Sequence, residues 1–264
     1  SFLKLLAQQS YDKYELILVN DHSTDHFLEI IEKYKKSLPL VLLNNEGEGK
    51  KQAIQTAVKQ AKGDLIVCTD ADCLVQKNWL ASMVSFYEKT QADFIIAPVL
   101  SYYSSKIKEQ MYALEFMSLQ ASTAGAAGMD KAIMCNGANM AFTNEAWLHY
   151  FPYLENTLLS GEDMFLMQNI KKDIGKILYL KSREAVVYTY PISTIKDFVN
   201  QRTRWLSKGS KYKDKDVISS ALSVFLMSSV LLVSLFLSFV YIDFLYVFTL
   251  AFLSKLLVDR VLLQ

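Results

Sequence analysis

The chain has 264 residues, 52% of them hydrophobic, and a formal net charge of +1. This length fits one large domain or two small ones, and so small a net charge excludes a global field that would attract nucleic acid. We therefore expect no nucleic-acid partner. The three cysteines, Cys68, Cys73 and Cys135, are too few for a disulfide framework and favour a reducing compartment.

Strands and helices alternate along the first part of the chain. Apolar runs at 14–20, 38–44 and 63–70 have the length and composition of buried strands, and helices are predicted at 27–36 and 50–61. This alternation predicts an α/β fold with a mostly parallel, Rossmann-like sheet and helices on both faces. Because ligands bind beyond the carboxyl ends of such strands, we expect the turns "NDHSTD" and "TDADC" to converge on one crevice.

The middle of the chain is less regular. A helix is predicted at 105–120 and another begins at "SGEDMF", while "CNGANMAF", "GKILYL" and "EAVVYTY" are predicted to contain strands. A last amphipathic helix covers "STIKDFVNQRTRWLSKGSK", with an apolar stripe along one face.

The C-terminal part is strongly apolar. Residues 217–242 carry no charge and exceed the ~20 residues that a helix needs to cross a bilayer. A buried core helix is the alternative for this run. A shorter, interrupted run follows Asp243 and predicts a second span over 244–264. Basic residues precede the first span and favour the cytoplasmic side for the preceding part: Arg202, Arg204, Lys208, Lys211, Lys213 and Lys215.

Asp70 and Asp72 follow the third apolar run and are separated by one residue. Alternate residues at a strand end can point the same way, and two carboxylates suit a hard divalent cation such as Mg²⁺ or Mn²⁺. The alternative is a pair of solvated loop aspartates. A zinc site on Cys68 and Cys73 would need about four ligands, and no second Cys/His pair has suitable spacing.

Three further segments carry candidate residues, each with a purely structural alternative. Asp21 could bind a nucleobase or ribose, or only cap a turn. Lys50, after two glycines, could meet a phosphate or belong to a solvated helix end. Asp163 could act as a general base, or form a capping box with Ser160.

Gln201, Arg204 and Trp205 are spaced i, i+3 and i+4, so they share one helix face. Arginine can clamp a phosphate with two parallel hydrogen bonds, and tryptophan offers a platform for a sugar. The alternative is a helix at the membrane surface, where Arg and Trp are common.

In chain order, "VNDHSTD", "GKKQA", "TDADC", "CNGANMAF", "GED" and "QRTRW", followed by an apolar span, resemble the membrane-bound family 2 glycosyltransferases. Cellulose, chitin, hyaluronan and poly-N-acetylglucosamine synthases belong to this group. The resemblance covers roughly residues 1–215 and implies a GT-A-like nucleotide-diphospho-sugar transferase fold. It also implies an inverting displacement that moves a sugar from a nucleotide-diphospho-sugar to a glycan or lipid acceptor.

The resemblance assigns roles to particular residues. Asp163 would be the catalytic base. The donor side would be formed by Asp21, Lys50, Asp70, Gln201 and Arg204, with Asp72 and Asp70 at the divalent metal. The acceptor side would be formed by Asn136, Gly137, Asn139, Glu162 and Trp205.

The resemblance also divides the chain. Residues 1–192 would form a cytoplasmic catalytic domain, 193–216 an interfacial helix that contacts membrane lipid, and 217–264 a transmembrane region. The family's first strand would precede Ser1, so we expect a truncated fragment of a longer protein. Gly161 stands where polysaccharide synthases often have Thr, so processive and single-addition enzymes both remain open.

These features predict an enzyme of the bacterial inner membrane that builds envelope polysaccharide or glycolipid. The competing hypothesis is a catalytically silent membrane protein that uses the same fold for binding or assembly. A phosphate-handling nucleotidyltransferase would use a similar crevice and cation, but an adjacent Trp205 face and membrane span fit it poorly.

Overall fold

A computed structural model describes residues 2–102, 104–155 and 160–262, and all structural statements refer to these residues. The strands are β1 (Leu16–Asn20), β2 (Leu40–Asn44), β3 (Leu65–Cys68), β4 (Leu74–Val75), β5 (Phe94–Ile96), β6 (Val99–Ser101), β7 (Met140–Thr143), β8 (Ile177–Tyr179) and β9 (Val187–Thr189). The helices are α1 (Phe2–Leu6), α2 (Phe27–Tyr34), α3 (Gly49–Gln60), α4 (Trp79–Thr90), α5 (Ile107–Ala127), α6 (Asn144–Tyr150), α7 (Glu162–Lys172), α8 (Ile195–Leu206), α9 (Lys215–Ser238) and α10 (Asp243–Leu262). Short 3₁₀ helices occur at Phe151–Tyr153 and Gly209–Lys211.

The strands form three small sheets, with orders β1-β2, β3-β7-β5-β8 and β4-β9-β6. Strand β1 pairs with β2 in parallel, as the alternation of strands and helices predicts. The expectation of a mostly parallel sheet is nevertheless wrong, because β7 runs antiparallel to both β3 and β5. The prediction was drawn from the first three strands, and β7 enters the sheet from the opposite direction after the long helix α5.

Helices cover both faces of the four-stranded sheet, as predicted. Side chains alternate along β5, so Phe94 and Ile96 belong to one buried cluster and Ile95 to the other. Residues of α3, α6 and α7 pack in the first cluster, and residues of α4 and α1 pack in the second. The central strands β5 and β7 are therefore almost completely buried between the helices, and the sheet holds the loops at its ends in fixed positions.

The antiparallel register of β3 and β7 determines which loops meet. Cys68, the last residue of β3, pairs with Met140, the first residue of β7. The turn that follows β3 and the turn that precedes β7 therefore lie at the same edge of the sheet. We call the first the DxD turn (residues 69–72) and the second the Gly137 turn (residues 136–139).

Two helices follow α8. Helix α9 is the one described helix that is long and apolar enough to span a membrane, and almost none of its most apolar stretch is buried. A buried core helix therefore does not account for it. Helix α10 contains Asp243, Lys255, Asp259 and Arg260, and Lys255 pairs with Asp259 one turn later. A second span is not among the described candidates, and residues 263–264 of the predicted span lie outside the described residues.

Candidate active site

Lys50 connects the DxD turn with the Gly137 turn. It is the second residue of α3, and its Nζ donates to Asp70 Oδ1 at 2.5 Å and to the carbonyl oxygen of Gly137 at 3.2 Å. A third neighbour is Glu162 Oε1, 4.0 Å from the same Nζ. A single ammonium group thus joins α3, the end of β3 and the start of α7.

Asp163 lies on the other side of the Gly137 peptide. Its Oδ2 accepts from the Gly137 N–H at 3.0 Å, and its Oδ1 accepts from the Met164 N–H at 2.8 Å. The Gly137 peptide therefore faces Lys50 with its carbonyl and Asp163 with its N–H. These two bonds fix the direction of the Asp163 carboxylate, and each of its oxygens keeps a lone pair for a hydroxyl donor.

Glu162 is buried beside this pair, with 4% of its surface exposed, and its Oε2 accepts from the N–H of Gly161 at 2.9 Å. Burial and the neighbouring Asp163 raise its pKa, against the opposing effect of Lys50. For Lys50, burial favours the neutral form, but Asp70 and then Glu162 outweigh it, and its pKa lies above the ordinary value. The lysine therefore remains a cation beside the carboxylates of Asp70 and Glu162.

The carboxylates of Asp70 and Asp72 and the thiol of Cys73 offer ligand atoms that lie within 4.8 Å of one another. Asp72 is exposed, whereas Cys73 is buried and its Sγ lies 3.8 Å from Asp72 Oδ1. Hard divalent cations prefer the oxygens of this set, and a thiol suits them poorly. The arrangement fits Mg²⁺ or Mn²⁺ at the two carboxylates, with Cys73 packed behind them.

Asp21 is tied to the start of α3. Its Oδ1 accepts from Asn45 Nδ2 at 2.7 Å, and its Oδ2 accepts from the N–H of Gly49 at 3.1 Å. Since Gly49 precedes Lys50, two consecutive residues of α3 connect the loops after β1 and β3. The buried Asn45 also accepts from the N–H of Gly47 at 3.2 Å. Asn45 thus orients Asp21 and the glycine loop, and its position directly after β2 is the sequence signal for this role.

The face predicted on α8 is arranged differently from the expectation. Arg202 pairs with Glu115 of α5, and its guanidinium carbon lies 4.3 Å from the ring centre of Trp205. Gln201 Oε1 accepts from Arg202 Nη1 at 2.7 Å. Arg204 is exposed and has no ion-pair partner in the described part of the chain. Sequence reasoning missed Arg202, although its i+3 spacing to Trp205 is a signal for such stacking.

The segment after α8 reaches the start of α7. A Cβ added to Gly161 would lie 3.0 Å from Lys208 Cδ and 3.2 Å from Phe165 Cε2, and the rings of Phe165 and Tyr212 are 5.5 Å apart. The φ angle of Gly161 is +106°, a conformation that side-chain-bearing residues rarely adopt. Glycine at this position therefore lets the segment pack closely above Asp163.

Of the predicted acceptor-side residues, Asn139 is not brought to the crevice. It is fully buried, its Oδ1 accepts from Trp79 Nε1 at 2.9 Å, and its Nδ2 donates to the carbonyls of Pro98 and Ala185. An asparagine with these partners has no free donor for a substrate. The predicted contact with the acceptor is therefore replaced by a structural role. Asn136 remains in the turn, where its Oδ1 accepts from the N–H of Ala138 at 3.0 Å.

Fold and site together define a class of protein, the GT-A-like nucleotide-sugar transferases. The model of the family "Glycosyl transferase family 2" matches residues 1–150, more than half of the chain. The chain belongs to this family, which confirms the resemblance drawn from its motifs.

Two curated relatives from Staphylococcus aureus match shorter stretches. Poly(ribitol-phosphate) beta-N-acetylglucosaminyltransferase TarS is 29% identical over 116 residues, 42% of this chain and 20% of that protein. Poly-beta-1,6-N-acetyl-D-glucosamine synthase is 36% identical over 69 residues, 26% of this chain and 17% of that protein. The chain thus spans about a fifth of the length of these relatives.

Solved structures support the fold. S. aureus TarS 1-349 in complex with UDP has a TM-score of 0.54 and 22% identity, covering 75% of this chain and 57% of that one. GalNAc-T7 with UDP, GalNAc and Mn²⁺ has a TM-score of 0.52 and 19% identity, covering 72% and 40%.

Replacing Asn139 with alanine tests its structural role. Asn139→Ala leaves the buried Trp79 N–H without its acceptor, and an unsatisfied buried group costs about 1–3 kcal/mol. We expect a lower melting temperature for the purified full-length protein, whereas Asn200→Ala on the exposed surface of α8 changes stability by less than about 0.5 kcal/mol. If Asn139→Ala were as stable as the wild type but bound acceptor poorly, the result would instead support a direct contact between Asn139 and the acceptor.

Replacing Gly137 tests the bridge between Lys50 and Asp163. A Cβ at this position would lie 3.0 Å from Lys50 Nζ and 3.3 Å from Asp163 Oδ2, so Gly137→Ala must displace one of them. We expect sugar transfer to fall about tenfold or more, since small misplacements of catalytic groups are costly. Gly125→Ala in α5 is the matched control, because its Cβ would meet no neighbouring atom within 4 Å. Equal activity of the two variants would contradict the bridge.

Proposed function

We propose that this chain is the catalytic part of a membrane-associated, inverting glycosyltransferase that transfers a sugar from a nucleotide-diphospho-sugar to a glycan or lipid acceptor. The observation that carries this proposal is the Gly137 peptide, which faces Lys50 and Asp70 on one side and Asp163 on the other. A donor held at the DxD turn would thereby lie beside a carboxylate able to act as a base.

In the proposed reaction Asp163 accepts the proton of the acceptor hydroxyl. The hydroxyl oxygen forms a bond to the anomeric carbon while the bond from that carbon to the diphosphate breaks, so the configuration inverts. A Mg²⁺ or Mn²⁺ ion on Asp72 and Asp70 would supply neutralisation of the departing diphosphate. The hydrogen bonds from the N–H groups of Gly137 and Met164 hold the Asp163 oxygens in place while the acceptor hydroxyl attacks the anomeric carbon.

On the donor side, Asp21 and Asp70 would bind the nucleotide, and Lys50 would keep Asp70 oriented. Gln201 and Arg204 would approach the diphosphate. This role is supported by the exposure of Arg204 and by the lack of an ion-pair partner for it among residues 2–102, 104–155 and 160–262. On the acceptor side we retain Asn136, Gly137, Glu162 and Trp205. Glu162 would act there chiefly by holding the start of α7, since its Oε2 accepts from the N–H of Gly161.

UDP-N-acetylglucosamine is the first donor to test. The names of both curated relatives contain N-acetylglucosamine, and solved TarS structures hold UDP and UDP-GlcNAc. By the same likeness, we propose a polysaccharide or glycolipid of the bacterial cell envelope as the product. An enzyme with such a product could also bind other proteins that assemble the cell envelope.

We further propose that residues 1–192 form the catalytic domain on the cytoplasmic side of the inner membrane. The amphipathic segment 193–216 would lie at the bilayer surface against lipid headgroups, and α9 would cross the bilayer. The exposed apolar surface of α9 and the basic residues that precede it support this arrangement.

The base assignment is tested in the full-length protein, in membranes, with UDP-GlcNAc and Mn²⁺. We expect Asp163→Asn to lower the rate of transfer about 10²–10⁴-fold while UDP binding is kept, because the proton acceptor is lost, together with one of the two backbone hydrogen bonds that its oxygens accept. The exposed Asp12→Asn serves as the control and should transfer at the wild-type rate. Transfer at the wild-type rate by Asp163→Asn would contradict the assignment of Asp163 as the base.

The metal assignment has its own comparison. We expect Asp72→Ala to abolish the dependence of donor binding and transfer on Mn²⁺, whereas the double variant Cys68→Ala, Cys73→Ala keeps it, since oxygen is the preferred ligand. Loss of metal dependence in the cysteine variant alone would reverse this assignment. Failure of the wild-type protein to bind any nucleotide-sugar in a screen with Mn²⁺ would favour the silent binding or assembly module.

A further inference from the structure

Helix α7 is anchored at both ends, and only its first anchor belongs to the site. At its last turn, Lys171 Nζ donates to Asp214 Oδ1 at 3.0 Å and Asp216 Oδ2 at 2.7 Å. The same Nζ donates to the carbonyl oxygen of Ala132 at 3.0 Å. Lys171 and Asp214 are only 16% and 17% exposed, so the contact is largely shielded from water.

Each partner of Lys171 leads to a functional segment. Asp214 caps α9, because its Oδ1 also accepts from the N–H of Val217 at 2.9 Å. Ala132 is buried and begins the stretch that leads to the Gly137 turn, and that turn bonds to Asp163 at the opposite end of α7. The chain from Lys171 through Ala132, Gly137 and Asp163 back along α7 is therefore a closed ring of contacts.

We propose that Lys171 is a positioning residue that clamps the base-bearing helix and the Gly137 turn to the first turn of the apolar helix α9. The inference rests on the proposed function for the role of Asp163, but the clamp itself rests on the contacts of Lys171. Its removal leaves two carboxylates and a carbonyl facing one another without a cation, so the three segments separate.

The clamp predicts a particular division of kinetic effects. Asp21 and Asp70, the two residues proposed to bind the nucleotide, follow β1 and β3, and these strands lie outside the ring of contacts. The base and the acceptor-side turn lie inside it. Loss of the clamp should therefore lower kcat and leave donor binding unchanged, whereas general unfolding would lower both.

The test uses the full-length protein in detergent, with Lys171→Met to remove the charge at similar length. We expect kcat with UDP-GlcNAc and Mn²⁺ to fall roughly ten- to a hundredfold, while the Kd for UDP changes less than about twofold. Lys171→Arg should recover most of the rate, because it can keep the ion pairs. Lys172→Met is the matched control: Lys172 is the exposed neighbour in the same helix, and its loss should have no effect.

Amide hydrogen exchange separates this inference from the proposed function. In Lys171→Met, we expect the Gly137 N–H and the first turn of α7 to exchange at least about tenfold faster, even if the wild-type protein transfers no sugar. Unchanged exchange there, or a kcat within threefold of wild type, would overturn the clamp. If Lys171→Met does not fold, Asp216→Asn replaces it, since the Asp214 cap remains. A several-fold loss of kcat then supports the clamp, and wild-type kcat refutes it.

Discussion

The candidate site depends on one cation, the half-buried ammonium of Lys50. Its Nζ donates to Asp70 and to the Gly137 carbonyl and lies close to Glu162, so three other segments of the chain meet at this one atom. Bringing a lysine out of water is costly, and this cost is offset only because opposite charges and a carbonyl replace the lost hydration. Without this cation, the carboxylates of Asp70, Glu162 and Asp163 would repel one another and any diphosphate that entered the crevice.

The ammonium can reach both turns because of strand direction. Antiparallel pairing of β3 with β7 places the turn after one strand beside the turn before the other, with Cys68 opposite Met140. A purely parallel sheet would bring together only the carboxyl ends of its strands. The buried side-chain amide of Asn139 then fixes the start of β7 by hydrogen bonds with Trp79 and two carbonyls. The Gly137 carbonyl therefore stays directed at Lys50, and the Gly137 N–H at Asp163.

Local pattern predicts the strands that precede Asp21 and Asp70 and the helix that begins beside Asp163, because hydrophobic periodicity is a short-range property. The capping box of Ser160 and Asp163 does not form, since the N-cap residue of α7 is Gly161. Local pattern could not give the direction of β7, which depends on contacts between residues far apart in the chain. The depth of Asn139 also depends on such contacts: the resemblance places it on the acceptor side, whereas its burial makes it a structural residue. The pairing of Arg202 with Glu115 cannot be predicted from local pattern either, since these residues of two helices are 87 positions apart in the sequence.

The two arginines of the Q-x-x-R-W helix, Arg202 and Arg204, differ in their contacts. Arg202 is committed to Glu115 and to the faces of Phe198 and Trp205, so it holds α8 against α5. That contact leaves Arg204, two residues later and about 200° around the helix, directed away from the support and free of ion pairs among the described residues. Support and available charge are thus divided between neighbouring arginines. The same helix leads through Lys208, packed on Gly161, to the cap of α9, so the apolar helix and the proposed base are parts of one connected structure.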